Sequence, residues 1–256
     1  MKKIIILIIL FIIVVLFFYN QNINKTQYLD IYKKDAEEQK PNQKPKNAYI
    51  KNLQIKYKNI INMNLNGSLI LEEKKFRLIA NSIFGKELDV GINNKELWYW
   101  SKRSKPKGLF YSKIENLNKT NLKDALNPAW LYKATNIYLE KNKNSEIYNL
   151  KENQIIINKT INQIGQENSI VSVTDKKNEK ILANYLYDSK GYLIVSAEVK
   201  EHQIIDGYYI PKVVKINWFR ENIHMTWIFN QIKLNTIISD DAWKKPNIQP
   251  LIDIGK

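Results

Sequence analysis

From Ala48 to Lys233 apolar and polar residues alternate with a period of two, in run after run, with turn residues between the runs. Successive strand side chains point to opposite faces, so a chain written this way buries one face of a sheet. Phe76, Leu78 and Ala80 share one face of a run, with Arg77, Ile79 and Asn81 on the other. Leu182, Asn184 and Leu186 oppose Ile181, Ala183, Tyr185 and Tyr187. The DSKG at 188–191 then turns the chain into Leu193, Val195, Ala197 and Val199. A second hairpin closes at Asp206-Gly207, where glycine supplies the positive φ that such turns require. Ile223, Met225, Trp227 and Phe229 line one face of another run. The pattern predicts a mainly β fold of about eleven antiparallel strands.

One stretch departs from it. TNLKDALNPAWLYKATN at 120–136 is helical in period, and Asn127-Pro128 is an N-cap followed by proline at the first helical position. The helix expected over 128–135 carries an apolar stripe of Trp130, Leu131 and Ala134. Many strands with a few short helices inserted midway suggest a curved, incomplete barrel (a half-barrel) with the helices over its concave face. A sheet that curls without closing leaves an apolar interior suited to apolar ligands.

The N-terminus sets the expected location. Lys2 and Lys3 precede an unbroken apolar run that reaches Phe18 and ends at Tyr19. This is the charged region and apolar region of an export signal, but no Ala, Gly, Ser or Cys occurs before Ala36 to form a cleavage site. Residues 4–19 are therefore expected to stay as a single-pass transmembrane anchor. About sixteen residues at about 1.5 Å each reach about 24 Å, a mismatch that thinning or lysine snorkelling absorbs. Residues 20–46, with PNQKPK at 41–46, read as a polar linker. Residues 47–247 form the folded domain, and 248–256 a tail. The expected location is the bacterial inner membrane, with the C-terminal domain on the exported side.

Composition excludes several chemistries. With no cysteine there is no disulfide, thiolate metal site, cysteine nucleophile or lipid-modified cysteine. The net charge of +15 comes from 37 Lys and only 3 Arg, in a chain that also holds 40 Ile and 32 Asn. That is the signature of AT-rich coding drift rather than of a nucleic-acid partner, and no recognition motif accompanies it. His202 and His224 read as ordinary half-buried or surface residues, and no metal, cofactor or catalytic constellation is found. Asp240-Asp241 read as turn or helix caps.

Two features remain as binding candidates. Lys102, Arg103, Lys105 and Lys107 place four cations in a short segment between two aromatic strands. They are either a solvated hairpin tip or a contact for anionic headgroups or an acidic partner. Trp98, Tyr99 and Trp100 make a strand that is large on both faces, which is either core or cavity lining. Phe76, Leu78, Trp98 and Trp100, with Trp130 and Leu131 from the helix, are the candidate lining of one concave surface.

GSLIL at 67–71, KFRL at 75–78 and GINNKELWY at 91–99 resemble the opening strands of the lipoprotein-localisation (LolA/LolB-like) superfamily. GYLIVSA at 191–197 and DGYYIPKVVKINW at 206–218 resemble its paired late strands, and FNQIKLNTIISDDAWKKP at 229–246 resembles its ending. FGKELDVGIN at 84–93 is similar to an outer-membrane lipoprotein-sorting-like branch. The resemblance implies a half-barrel with helices over an apolar cavity, and a non-catalytic role handling acyl chains of lipoproteins or other lipids. The chain departs from the carriers at 72–75, where EEKK replaces their arginine and proline, and it lacks both a cleaved signal and a lipidated cysteine. The expected function is thus lipid or lipoprotein acyl-chain binding at the membrane. The alternative is a non-catalytic envelope interaction or sensory protein whose interior is filled by its own side chains.

Overall fold

The computed structural model describes residues 44–255, apart from 60–61, 120–127, 140, 142 and 162–166. The expected anchor at 4–19 and most of the linker lie outside the described residues. Fourteen strands form one sheet. The first six are β1 (Asn47–Lys58), β2 (Asn62–Glu72), β3 (Lys75–Ser82), β4 (Gly85–Ile92), β5 (Glu96–Ser101) and β6 (Leu109–Lys113). After a 3₁₀ turn (Ile114–Lys119) and helix α1 (Pro128–Ala134) come β7 (Glu146–Asn149), β8 (Asn153–Ile161), β9 (Glu167–Asp175) and β10 (Ile181–Tyr187). Then follow β11 (Leu193–Ile205), β12 (Tyr208–Trp218), β13 (Ile223–Leu234), a second 3₁₀ turn (Asp240–Trp243) and β14 (Leu251–Asp253).

The order across the sheet is β14-β6-β5-β4-β3-β2-β1-β13-β12-β11-β10-β9-β8-β7. Two meanders therefore meet at the long β1–β13 pair, and among the described residues the outermost strands β14 and β7 do not pair with each other, so the sheet is open. Thirteen strands alternate in direction, whereas β14 runs parallel to β6. The expected antiparallel sheet of about eleven strands is thus larger, and not antiparallel throughout. Residues 248–256, expected to be a separate tail, supply the fourteenth strand. The turns behave as their residues dictate. Asp206 and Gly207 both take positive φ, 50° and 82°, as a two-residue hairpin needs.

Residues directly opposite each other across a ladder share a face, and the register sorts the chain into two surfaces. On the inner face Leu71, Phe76, Ile92 and Leu97 follow one another across β2–β5, as do Leu69, Leu78, Val90 and Tyr99. The same face continues through Ile50, Leu53 and Ile55, then Trp227 and Phe229, then Val214, Ile216 and Trp218, then Val195 and Ala197. All but Tyr99, which packs against it, belong to one buried cluster that also contains Trp130 and Leu131.

The outer face holds the opposite set. Arg77, Gly91, Trp98 and Tyr111 follow one another across β3–β6. Trp98 lies flat over Gly91, where a Cβ would stand 2.1 Å from the indole ring, so no larger residue fits beneath it. Its Nε1–H donates to Asp89 Oδ1 at 3.1 Å. Asp89 is fully buried and also accepts from Arg77 (Nε to Oδ1, 3.2 Å; Nη2 to Oδ2, 3.0 Å) and from Lys86 Nζ at 3.2 Å. Arg77 Nη1 donates onward to the Ala242 carbonyl at 2.9 Å. The segment after β13 is thereby strapped across the outer face. Asn93 donates to the Trp243 carbonyl, Lys75 lies 5.4 Å from the Trp243 ring, and Lys245 pairs with Glu96. The strap then delivers β14 to the edge of β6.

Removing one partner of a buried ion pair leaves an uncompensated charge, at a cost of about 3–5 kcal/mol. Arg77→Met is expected to lose stability on that scale in urea denaturation and to open residues 235–250 to limited proteolysis. Arg77→Met combined with Asp89→Leu should recover part of the stability, because no orphan carboxylate remains.

Candidate lipid-binding site

The β6-to-β7 connection positions the helix. These strands lie towards opposite ends of the sheet order, so the intervening chain must travel from one side of the sheet to the other. Helix α1 lies on that route. Its seven residues include Pro128, Trp130, Leu131, Tyr132 and Ala134 on the buried side, and it packs against β3, β4 and β5. Asn136, at φ 56°, closes its C-terminal end in the left-handed conformation that Asn tolerates.

A buried polar network fixes that end. Asn184 Nδ2 donates to the Lys133 carbonyl and to Asn136 Oδ1, both at 2.9 Å. Ser172 Oγ donates to Asn184 Oδ1 at 2.5 Å, and Asn136 Nδ2 reaches the Ala134 and Ala197 carbonyls. Asn184, Asn136 and Ser172 are all buried. The inner face therefore changes character along its width. It is aliphatic and aromatic from β5 through β11, and turns polar on β8–β10, where Gln154, Asn158, Asn168, Ser172, Thr174 and Asn184 are buried.

The interior also holds unused polar groups. The indole Nε1–H of Trp130, Trp218 and Trp227, and the Tyr138 hydroxyl, are buried with no partner among the described residues. Tyr138 stacks on Tyr132 with centroids 5.8 Å apart, and burial pushes its hydroxyl pKa up. An indole N–H is a donor only, so each of the three indoles can be satisfied only by donating to an oxygen or similar acceptor brought to it.

Of the candidate residues, Phe76, Leu78, Trp130 and Leu131 come together on the inner face, each at most 4% exposed. Trp98 and Trp100 do not join them. Trp98 stands opposite Gly91 and Tyr111, and Trp100 opposite Asp89 and Leu109, which places both on the outer face. The reading that put all four sheet residues on one concave surface is corrected by the β3–β4 and β4–β5 registers. Alternation within a strand holds, but it does not say which parity of one strand faces which parity of the next. Trp227 and Phe229 belong to the alternating set at 223–229, and Trp218 closes the motif at 206–218; none of the three was among the candidates. They supply the aromatic part of the inner face instead.

The basic segment forms the β5–β6 turn. Lys102 and Arg103 pair with Glu87, at 3.7 and 3.3 Å, while Lys105 and Lys107 are exposed and make no ion pair among the described residues. Ser82 Oγ donates to Glu87 Oε1 at 2.7 Å. That hydrogen bond, aided by Arg103 and Lys102, lowers the Glu87 pKa below the usual carboxylate value, against the opposing effect of burial. His202 is half-buried against the Ile181 carbonyl, and His224 is exposed beside Asn217. Among the described residues no group of His, Asp and Glu side chains assembles as a metal site, and no helix is long and apolar enough to cross a membrane.

Solved structures share this architecture. An outer-membrane lipoprotein-sorting protein domain from Vibrio parahaemolyticus superposes with a TM-score of 0.52 at 12% identity, covering 77% of this chain and 88% of that one. A LolA superfamily protein from Nitrosomonas europaea superposes with a TM-score of 0.50 at 8% identity, covering 83% and 95%. The fold is LolA-like. No family model matches the chain, and no curated protein matches its sequence. The resemblance first seen in short strand motifs is therefore borne out at the level of fold, over most of the chain.

The Glu87 clamp makes a pH prediction. A carboxyl whose folded pKa is lowered contributes stability that is present above its unfolded pKa and lost as pH falls through the folded value. The stability advantage of the parent over Glu87→Gln should be full at neutral pH. It should vanish on acidification below the ordinary carboxylate range, as read by denaturation across a pH series.

Proposed function

We propose that the LolA-like domain binds acyl chains of lipids or lipoproteins on its inner face, without catalysis, while residues 4–19 hold it at the inner membrane on the exported side. The observation that supports this most is the composition of the interior. One continuous apolar face runs from β5 to β11, and three buried indole donors on or against it have no partner among the described residues. Hydrocarbon satisfies the first feature, and an ester, amide or carboxylate oxygen at its head satisfies the second. Helix α1 and an acyl chain compete for the same surface, since Phe76 and Leu78 are covered in the cluster that holds Trp130 and Leu131.

A second reading has its own support. Phe76, Leu78, Trp130 and Leu131 are packed as a protein core packs, which suits an interaction protein whose interior its own side chains fill.

Fluorescent fatty-acyl binding, paired with chemical denaturation, separates the two. On the lipid reading the parent binds the probe. Trp130→Ala then costs about 3–5 kcal/mol of stability, while probe affinity stays or rises because the competing helix is weakened. Trp98→Ala should cost a similar amount and leave probe affinity unchanged, since Trp98 is on the outer face. Absence of probe binding by the parent selects the packed-core reading.

The anchor has a separate test. N-terminal sequencing of the membrane-extracted protein should begin at residues 1–3. A start anywhere in 20–46 shows that the apolar segment is removed.

A further inference from the structure

Followed row by row across the ladders, the outer face changes its chemistry at β10. One row holds Asn62, Lys58, His224 and Asn217 on β2, β1, β13 and β12, and ends in Tyr185, Val171 and Ile157 on β10, β9 and β8. The next holds Asn64, Lys56, Thr226 and Lys215, and ends in Ala183, Val173 and Ile155. The chain has 37 Lys and 32 Asn, and both fill the solvated part of these rows, yet neither enters their β8–β10 end. Ile155, Ile157, Val171, Val173 and Tyr185 are half-buried beside one another, and none belongs to or packs against either buried apolar cluster of the interior. The inner side of the same strands carries buried Gln154, Asn158, Ser172 and Thr174. An apolar patch held on an otherwise polar outer face marks a contact surface.

We infer that two copies of the chain pair back to back through this patch, sheet against sheet at about 10 Å and related by a two-fold axis. Charge selects a second copy as the occupant. Residues 146–187 carry five Lys and five Asp or Glu, so the whole net charge of +15 lies elsewhere in the chain. The border of the patch holds both signs, with Glu146 on one side and the Lys159–Glu167 pair at one end. A surface that is neutral and edged by both signs complements itself, whereas an anionic bilayer or a polyanion calls for an excess of cations. Strands β7–β10 also stand at one end of the sheet order, so pairing there keeps the cationic remainders of the two molecules apart. Four strands about 4.8 Å apart and three rows of side chains make a patch of about 20 Å by 20 Å. That falls at the small end of specific interfaces, so the dimer is weak and concentration-dependent. The pairing uses the face opposite the proposed acyl site and does not depend on it.

The chain has no cysteine, so a single cysteine reports on the contact by covalent capture, which suits a weak dimer. The full-length protein carrying Val173→Cys is treated with a short bismaleimide in the cells that express it. It should give a product of twice the chain mass, and mass spectrometry should find this chain in both halves. Asn64→Cys, on the polar part of the same row, should give none. Each position occurs twice in a two-fold interface, so a loss at one residue is doubled. Ile157→Asn with Tyr185→Asn, and separately Ile155→Lys, should therefore each cut the Val173→Cys product about tenfold or more. Cooperative urea denaturation identifies which of these variants remain folded, and fluorescent fatty-acyl binding to them should match the parent. No product at residue 173, an equal product at residue 64, or an undiminished product in every folded patch variant overturns the proposal. So does a product whose second half is a different protein, which would make the patch a surface for another partner.

Discussion

A single buried carboxylate organises the outer half of the molecule. Asp89 has no exposed surface, and its two oxygens are met by Arg77, Lys86 and the Trp98 indole. Low dielectric strengthens each of these bonds and makes any one partner costly to lose. Arg77 then passes the interaction on, because its remaining nitrogen holds the Ala242 carbonyl. The strap, the Trp243 turn and β14 are stacked in sequence on that contact. Without β14 the strand β6 would present a free edge, the usual site of unwanted pairing. A charge deep in β4 therefore protects an edge two strands away.

The inner half rests on a different constraint, the path of the chain. Because β6 and β7 lie towards opposite sides of the sheet, the residues between them cross a surface that is already apolar. A short helix with one apolar stripe crosses it at low cost, because the side chains of Asn184 and Asn136 satisfy carbonyls that its last turn leaves without internal partners. The crossing also has to end somewhere defined. Asn184, Ser172 and Asn136 supply that end, and their mutual bonds explain why the inner face turns polar just where α1 stops.

What was legible in the sequence follows from the range of each signal. Period-two alternation is local, and it placed the strands from Ala48 to Lys233 and the Asp206-Gly207 turn. The helix at Pro128 announced itself by its N-cap and proline. Register is not local. Trp98 shares a face with Arg77 and not with Phe76 because of how β3, β4 and β5 line up, and nothing within β5 states that. Gly91 was the available clue, since a glycine opposite an indole marks a close approach. The parallel β14 strand was hidden for the same reason. Leu251, Ile252 and Asp253 are too few to show a period, and their partner lies far back in the chain.

Magnitudes bear on what the inner face would select on the proposed reading. Seating Trp130 and Leu131 against the sheet contributes about 1.5–3 kcal/mol for each side chain. The Asn184 network adds about 0.5–1.5 kcal/mol for each hydrogen bond. An acyl chain gains about 0.8 kcal/mol for each methylene it buries, less the cost of ordering it. With that network kept intact, about five methylenes only match Trp130 and Leu131, whereas about fourteen exceed those two side chains by several kcal/mol. On that reading, competition with α1 would discriminate by length. Short acids would leave the helix seated, and only long chains would displace Trp130 and Leu131 while bringing an oxygen to the indoles that have no partner among the described residues. The polar end of the helix is pinned to β10 at Asn136 and its apolar stripe lies on β3–β5, so on that reading the displacement would pivot about Asn136.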